Sequence, residues 1–342
     1  MAVSVTRDLP KGIAAAAVLA LALLPGAKLP AFYESFLYLI FFWVSLSTSW
    51  ALLSGFAGYF SLGHAAFFGV GVYTTASLTT KFEVPFLVTI PVAAAMAALL
   101  AAGIGAVVFR LRRLRGELFA LLTLAVTFVI ATIVLNTPLD GGAGVFMSAV
   151  PLPELMSTQS GTIYILGFAM CVLTMVTAWW VAHARLGMGL YAIHDDEDVA
   201  EAKGVPTFRY KIAAFALSAA IAGFAGALYG HFTSYIAPDL FLPLITVYIF
   251  LAVASGGTGR PAGALLGAYL VMVLLESSRF FVEWIPGVSA VQRASLKELL
   301  IAATLILVLR LKPGGVLPEK IPPAPSIPPH ARAGSKTARS HP

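Results

Sequence analysis

Ten apolar stretches follow one another along the chain. They lie at 12–29, 33–53, 60–80, 85–109, 117–136, 161–182, 211–230, 241–255, 262–281 and 296–310. A helix needs roughly 20 apolar residues to cross a bilayer, and most of these stretches come close to that length. Barrel strands would instead alternate apolar and polar residues, and the sequence has no such alternation. We therefore predict an all-α polytopic membrane protein with about ten transmembrane helices, within a range of eight to ten.

The composition leaves too few polar side chains to cover a soluble surface. Hydrophobic residues make up 59% and charged residues 11% of the 342 residues, whereas a soluble domain carries roughly 25% charged residues. The net charge of +6 fits cytoplasmic loops that are rich in Lys and Arg, so we expect no nucleic acid partner. The single cysteine, Cys171, lies within an apolar stretch and can form no intrachain disulfide.

Basic residues indicate the side of the membrane on which each loop lies. They cluster at Arg7 and Lys11, at 110–115, between Arg185 and Lys211, and after Arg310. If the N-terminus is cytoplasmic and the chain crosses the membrane ten times, all of these clusters face the cytoplasm, as the positive-inside rule requires. The C-terminus is then cytoplasmic as well.

This topology divides the chain into three parts. Residues 1–11 form a cytoplasmic N-terminus, and residues 12–312 form the transmembrane domain, with a cytoplasmic loop at 184–211. Residues 313–342 are basic and proline-rich, which predicts a disordered cytoplasmic tail. The first apolar stretch also resembles the core of a signal peptide. Because no clear small-x-small cleavage site follows it, we favour a short first helix that ends at Pro25.

Several catalytic signatures are absent from the sequence. It contains no GxxxxGK[ST] phosphate-binding loop and no Cys or His cluster with metal-ligand spacing. The centres of the apolar stretches contain no Asp or Glu, whereas ion-coupled carriers usually keep an ionisable group within the membrane. We therefore expect a transport subunit that is not an enzyme, has no ATPase site and binds no metal or cofactor. Uphill transport would take its energy from another subunit.

Two other classes of protein stay open at this point. Sodium carriers can bind their ion with backbone carbonyls alone, so the lack of buried carboxylates does not exclude a stand-alone secondary carrier. A polar cluster at 194–198 is compatible with the acid–base or metal chemistry of an intramembrane enzyme. Because no second histidine lies at ligand spacing, we favour a solvated or partner-facing helix for this cluster.

The cytoplasmic loop at 184–211 predicts a short helix over 196–203. Asp195 or Asp196 can cap its start, while Lys203 followed by Gly204 supplies a cationic last turn and a left-handed stop. A short helix held between two spans suits contact with a neighbouring protein. The alternative is an ordinary surface helix in a long loop.

Small residues recur every four positions along the seventh apolar stretch. One series is Ser218, Ala222, Gly226 and Gly230, and a second is Ala219, Gly223 and Ala227. Small residues at this spacing allow the backbone of another helix to approach closely. We interpret both series as helix-packing faces, with the lining of a pathway as the second interpretation.

The segment SGFAGYFSLGHAAFFGVGVYTTA (54–76) is too rich in glycine for a sturdy soluble helix and too apolar for a loop. Glycine lowers helix stability by up to ~1 kcal/mol relative to alanine in an exposed setting. Inside a bundle it permits close packing, or an unwound segment whose backbone groups meet a polar solute. From composition alone, we expect His64 in this segment to be a hydrogen-bonded packing residue.

Four motifs and the closing span together resemble a known family. The motifs are SGFAGYFSLGHAAFFGVGVYTTA (54–76), RLRGELFALLTLAV (113–126), AIHDDEDVAEAKGVPTFRYKIAAFALSAAIAGFAGALYG (192–230) and ASGGTGRPAGALLGAYLVMVLLE (254–276), followed by LLIAATLILVLRLKPGGVL (299–317). Their order resembles that in the permease subunits of bacterial ABC importers for branched-chain amino acids, in particular the M type of the leucine/isoleucine/valine permease. The likeness covers about residues 35–317.

The resemblance implies several partners and a location. A second, homologous permease chain would complete the pore in the lipid bilayer, and two cytoplasmic ATPase subunits would bind the ATP. A periplasmic substrate-binding protein would deliver the amino acid. The chain itself would be a multi-pass protein of the bacterial inner membrane with no cofactor of its own.

The resemblance also implies functional residues. The ATPase-coupling loop would comprise Asp195, Asp196, Glu197, Glu201, Ala202 and Gly204. The glycine-rich membrane segment of the family falls on Ser61, Gly63 and His64, which makes them candidates for the translocation pathway.

The chain departs from the family pattern at three places. Tyr59 stands where the family usually has glutamine, His194 stands where it has arginine, and its external TGG-x-x-G segment is LDGGAG (139–144) here. The last departure leaves open a related amino acid, an aliphatic amide or another small carboxylate as the substrate. We predict an ATP-driven importer permease for branched-chain amino acids or closely related small solutes, working by alternating access. The alternative is a stand-alone carrier or facilitator for small amino acids or amides.

Overall fold

The computed structural model describes residues 30–111, 116–139, 144–147, 152–153, 155–156, 158–258, 261–283, 289–312 and 314–317. Its α-helices, numbered in chain order, are α1 (Ala31–Trp50), α2 (His64–Lys81), α3 (Phe86–Val108), α4 (Glu117–Leu135), α5 (Gln159–His183), α6 (Arg185–Asp195), α7 (Glu197–Ala202), α8 (Thr207–Thr233), α9 (Pro243–Gly256), α10 (Pro261–Glu283) and α11 (Ala290–Leu311). Two short strands, β1 (Val145–Phe146) and β2 (Tyr235–Ile236), pair antiparallel in the register Val145↔Ile236 and Phe146↔Tyr235. The predicted N-terminus, the first predicted span and the tail beyond residue 317 lie outside the described residues.

Six of the described helices are long and apolar enough to cross a membrane. They are Ala31–Gly55, Phe86–Val108, Glu117–Leu135, Gln159–His183, Thr207–Thr233 and Pro261–Ser278. This finding confirms the all-α polytopic class. Helices α2, α9 and α11 coincide with three further predicted spans but fall outside these six, and α9 has only 14 residues. The number of ten spans and the side on which each terminus lies stay predictions.

The glycine-rich segment breaks the helical path between α1 and α2. A π-helical turn, Ala51–Gly55, directly follows α1, and residues 56–63 have no helical structure. Gly58 has a φ of +73°, a backbone conformation that residues other than glycine rarely adopt. The break therefore separates one long apolar run into two helices, and the glycine allows the chain to turn between them.

The two ends of the bundle can be told apart, because α7 lies at one end and the two β-strands lie at the other. Helix α7 lies just before the start of α8, whereas β2 directly follows the end of α8. Because α8 has 27 residues, and a helix rises about 1.5 Å per residue, these two features lie at opposite ends of the bundle. We refer to them as the α7 end and the β end.

Small residues bring α8 into close contact with α2 and α3. A Cβ atom added at Gly226 would overlap the carbonyl oxygen of Phe68 in α2, and one added at Gly223 would lie 2.6 Å from Cβ of Ala97 in α3. The predicted packing residues are all buried: Ser218, Ala222, Gly223, Gly226 and Gly230. The small-residue faces of α8 thus lie against two neighbouring helices, at distances that larger side chains would prevent.

The chain after α11 returns to the C-terminal end of α9. The amide of Val316 donates to the carbonyl oxygen of Ser255 at 2.9 Å. Gly257 and Gly315 both have positive φ angles, +117° and +78°, and a Cβ atom at Gly315 would lie 2.5 Å from the amide nitrogen of Gly257. Residues 314–317, which the sequence assigned to the disordered tail, are therefore packed against α9.

Candidate functional site

Helix α7 is the short helix that the sequence predicted at 196–203. The Asp196 carboxylate accepts hydrogen bonds from the amides of Asp198 and Val199 at 2.9 and 3.0 Å, so Asp196 is the residue that caps its start. The helix ends at Ala202, and Gly204 follows with a φ of +85°. Local sequence signals at both ends therefore define this helix, as predicted.

The predicted coupling residues differ in exposure. Asp195, Asp196, Glu201, Ala202 and Gly204 are exposed at the surface of the chain, whereas Glu197 is 9% exposed. Val199 lies among the exposed residues of α7 with 48% of its surface accessible. The exposed residues of α7 and its flanks therefore combine an apolar side chain with carboxylates.

Glu197 is buried in an ion pair with Lys211, at the start of α8. Its Oε1 lies 2.5 Å from Nζ of Lys211. Its other oxygen, Oε2, accepts a hydrogen bond of 2.6 Å from the hydroxyl of Tyr59, which belongs to the unwound segment. Lys211 also donates to the Tyr59 hydroxyl at 3.2 Å. These three side chains, which we call the α7 triad, join α7, α8 and the segment 56–63.

Aromatic rings enclose the charged end of Lys211. Its Nζ lies 5.0 Å from the ring centre of Tyr59 and 5.2 Å from that of Phe109, within the range of cation–π attraction. Phe119 packs edge-to-face on Tyr59 at 5.2 Å. Lys211 is 4% exposed, and a buried charge is tolerated when it is both paired and hydrogen-bonded, as it is here.

The unwound segment also contacts the end of α6. The rings of Phe56 and Tyr191 lie 5.0 Å apart, and a Cβ atom added at Gly58 would lie 3.2 Å from the His194 ring. Tyr59 and His194, the two single-residue departures from the family pattern, therefore both lie at this junction. Together with the α7 triad, these contacts form a continuous surface between the segment 56–63 and the 184–211 loop.

Ser61, Gly63 and His64 are all buried within the chain. The Ser61 carbonyl accepts a hydrogen bond from the Trp50 indole at 2.8 Å, and the Ser61 hydroxyl accepts one from the Gly63 amide at 3.2 Å. A Cβ atom at Gly63 would lie 3.0 Å from that of Thr123 in α4. The structure thus brings the three predicted pathway residues together at the start of α2, and their role in a pathway stays a prediction.

His64 makes one hydrogen bond with a neighbouring helix. Its Nε2 lies 2.7 Å from the Ser49 hydroxyl, at the end of α1. The backbone carbonyl of the same serine accepts a 2.7 Å hydrogen bond from Ser218 of α8. Nδ1 of His64 is buried without a hydrogen-bond partner. His64 and Ser218 therefore both bond to Ser49, His64 through the hydroxyl and Ser218 through the backbone carbonyl.

Surface cavities open at both ends of the bundle. One of about 850 Å³ at the β end is lined by the last turn of α2 and the first turn of α3, and a smaller one of about 290 Å³ at the α7 end is lined by Arg185, Lys203 and Tyr210 among others. No group of three or more His, Cys, Asp or Glu side chains that could hold a metal ion occurs among the described residues.

Sequence reasoning missed the α7 triad. It placed Glu197 with the other carboxylates of the coupling loop, and it assigned Lys211 to a basic cluster. The only signal in the sequence was a lysine at the start of an apolar span, which cannot reveal a partner because pairing across 14 and 138 positions is set by tertiary structure.

Six helices of this length and apolar composition define a multi-pass α-helical membrane protein. The family described as "Branched-chain amino acid transport system / permease component" matches residues 32–309. The chain belongs to this family.

Curated relatives carry permease names. The chain is 26% identical over 295 residues to the high-affinity branched-chain amino acid transport system permease protein LivM of Escherichia coli, covering 78% of this chain and 66% of that protein. It is 30% identical over 163 residues to permease protein LivH of Salmonella typhimurium, covering 47% of this chain and 48% of that protein. The autoinducer 2 import system permease protein LsrC of Salmonella paratyphi B is 28% identical over 151 residues, which cover 40% and 44% of the two chains. The match therefore spans just under two thirds of the LivM protein, and no solved structure matches.

Proposed function

We propose that this chain is the membrane-spanning permease subunit of an ATP-driven importer for branched-chain amino acids or closely related small solutes. The observation that carries the proposal is the family match over residues 32–309. The relatives named LivM and LivH belong to one kind of transport system, which supports a pore built from this chain and a homologous second permease. We place the complex in the bacterial inner membrane.

Helix α7 is the proposed contact with a cytoplasmic ATPase. Val199 exposes 48% of its surface, and the exposed carboxylates of Asp198 and Glu201 lie on the same short helix. An apolar side chain surrounded by charges fits a cleft whose centre is apolar and whose rim is basic. The helix is held by a cap at Asp196 and by the buried Glu197, so that a force applied to it reaches the bundle.

In this proposal the chain performs no covalent chemistry. Closure of the ATPase pair moves α7, the bundle tilts, and the pore opens outward to receive the solute from the periplasmic binding protein. ATP hydrolysis then restores the inward-facing state. Such a ligand-driven shift requires that the partner bind one state more tightly than the other.

Purification from the native membrane tests this proposal. The tagged chain is extracted in mild detergent, its bound proteins are identified by mass spectrometry, and the preparation is reconstituted in vesicles for uptake of radiolabelled leucine. We expect ATPase subunits with a phosphate-binding loop, a second permease, and uptake that depends on ATP and on the binding protein. Recovery of the chain alone, with leucine uptake in ATP-free vesicles, would instead establish a stand-alone carrier.

A further inference from the structure

The α7 triad lies where the proposed coupling helix meets the unwound membrane segment. Tyr59, Glu197 and Lys211 are 6%, 9% and 4% exposed, so all three polar groups are shielded from water. Charge-assisted hydrogen bonds are about twice as strong as neutral ones, and shielding from water strengthens them further. The triad is therefore a firm attachment between α7 and the segment 56–63, in a helix of which four of the six residues are exposed.

We propose that the α7 triad is the mechanical link that transmits movement of α7 to the segment 56–63 and from there to the start of α2. This inference rests on the proposed function, because it assumes that a partner moves α7. Tyr59, Glu197 and Lys211 are positioning residues in this account, since none of them needs to touch the solute.

Two features of the segment carry the movement onward from Tyr59. The Ser61 carbonyl is bonded to the Trp50 indole at 2.8 Å, and the Leu62 amide donates to the Thr123 hydroxyl at 3.0 Å. The segment is therefore attached to α1 through Ser61, two positions after Tyr59, and to α4 through Leu62, three positions after it. A displacement of Tyr59 must either break these bonds or move the start of α2 relative to its neighbours.

The segment can respond because its backbone is not locked in a helix. Residues 56–63 are not helical, and only the amides of Phe56 and Ala57 still bond back to carbonyls of the preceding turn, at Ala51 and Leu53. Gly58 has a positive φ of +73°, which glycine adopts readily. Hinges of this kind absorb changes in backbone angles at a few positions between rigid elements. Phe56 and Gly58 pack on Tyr191 and His194 near the end of α6, so the segment also contacts the residues that directly precede α7.

The test uses the complete importer in vesicles, with uptake and ATP hydrolysis measured together. The main variant is Glu197→Leu with Lys211→Met, which removes both charges at once and leaves no unpaired buried ion. A second variant, Tyr59→Phe, removes only the hydroxyl and keeps the ring. The matched control is Glu34→Gln, a carboxylate near the β end that is 4% exposed and accepts hydrogen bonds from Thr158 and Ser160.

We expect the two triad variants to assemble and to hydrolyse ATP within about twofold of the wild-type rate. Loss of the link lowers the amount of solute moved per ATP by at least about tenfold in the double variant. The decrease is about threefold in Tyr59→Phe, because this variant keeps the ion pair and the contact of the ring with Lys211. Glu34→Gln should keep the wild-type ratio. A double variant that assembles and moves solute at the wild-type ratio would overturn the proposal that the triad is the link. If the double variant fails to fold, a wild-type ratio in Tyr59→Phe would overturn it instead.

A second readout separates the link from the proposed function. Ser61→Cys is placed in a Cys171→Ala background, and its modification by a small thiol reagent is followed with and without nucleotide. Ser61 is 0% exposed, so faster labelling reports opening of the segment. We expect nucleotide to change the labelling rate when the triad is intact and to leave it unchanged in the triad variants.

The outcomes of the two readouts are distinguishable. ATP-independent uptake by the intact chain would refute the proposed function, whether or not labelling responds. An equal nucleotide response with and without the triad, or no response with the triad intact, would refute the link while ATP-driven uptake upholds the proposed function.

Discussion

The hydroxyl of Tyr59 lies 2.6 Å from Oε2 of Glu197, although 138 positions separate the two residues. Tyr59 belongs to the unwound segment after α1, and Glu197 is the first residue of α7. Lys211 completes the contact from the start of α8. One buried polar cluster thus joins three parts of the chain, and we expect its disruption to affect both folding and coupling.

Removing one partner of the buried ion pair should destabilise the protein strongly. Glu197→Gln leaves the Lys211 ammonium buried without a counter-charge, which typically costs about 3–5 kcal/mol. The double variant Glu197→Leu with Lys211→Met removes both charges and should recover most of that loss. The free energy of unfolding in mixed micelles measures both variants. Equal stability of Glu197→Gln and wild type would contradict the burial of the pair.

A methyl group at Gly226 should disrupt the packing of α8 on α2. Its Cβ atom would overlap the carbonyl oxygen of Phe68, and overpacking of this kind costs about 1–3 kcal/mol or more. Gly103→Ala is the control, because nothing lies within 4 Å of its Cβ position in the interior of α3. That change should be neutral or stabilising by up to ~1 kcal/mol. Similar melting temperatures for the two variants would refute the close approach.

The glycine at position 315 should be required for the contact between the chain after α11 and the end of α9. Gly315→Ala places a Cβ atom 2.5 Å from the Gly257 amide nitrogen at a positive φ. Hydrogen exchange at the Val316 amide should then become faster, since its bond to Ser255 is lost. Gly116→Ala has a positive φ without neighbours within 4 Å. It therefore controls for backbone strain alone, and equal exchange at Val316 in both variants would count against the contact.

Reversing charges on α7 should abolish transport without preventing insertion. The double variant Asp196→Lys with Glu201→Lys removes the cap of α7, worth about 1 kcal/mol, and reverses the charge of its exposed face. We expect normal amounts of protein in the membrane and no ATP-driven uptake. Glu83→Lys reverses an exposed carboxylate near the β end and should leave uptake unchanged. Normal uptake by the double variant would refute the coupling role of α7.

Local sequence signals predicted a large part of the fold. Apolar length located nine helices of the described residues with boundaries that differ by six positions or fewer, because the bilayer sets the length of a span. The cap at Asp196 and the left-handed Gly204 followed from residue types whose preferences act over one turn. The four-residue spacing of small residues in α8 likewise predicted packing faces, and Gly223 and Gly226 lie close to α3 and α2.

Long-range relationships could not be predicted in the same way. The sequence contains no signal that pairs Tyr59 or Lys211 with Glu197, since the partners lie on separate elements that only the tertiary fold brings together. The basic, proline-rich composition predicts a tail that begins at 313. The contact of Gly315 with Gly257 depends on the end of a different helix, so residues 314–317 lie in the packed domain.

Cross-linking from Val199 tests the central claim most directly. Val199→Cys in a Cys171→Ala background places a thiol on an exposed position of α7. The control, Leu135→Cys in the same background, places one on α4 at the opposite end of the bundle. The two positions are similarly exposed, at 48% for Val199 and 45% for Leu135. A bifunctional thiol reagent is applied in native membranes, and the products are identified by mass spectrometry. We expect Val199→Cys to form a product with an ATPase subunit that carries a phosphate-binding loop, and Leu135→Cys to form none. An ATPase that cross-links from Leu135, or from neither position in membranes with active ATP-driven uptake, would contradict the account.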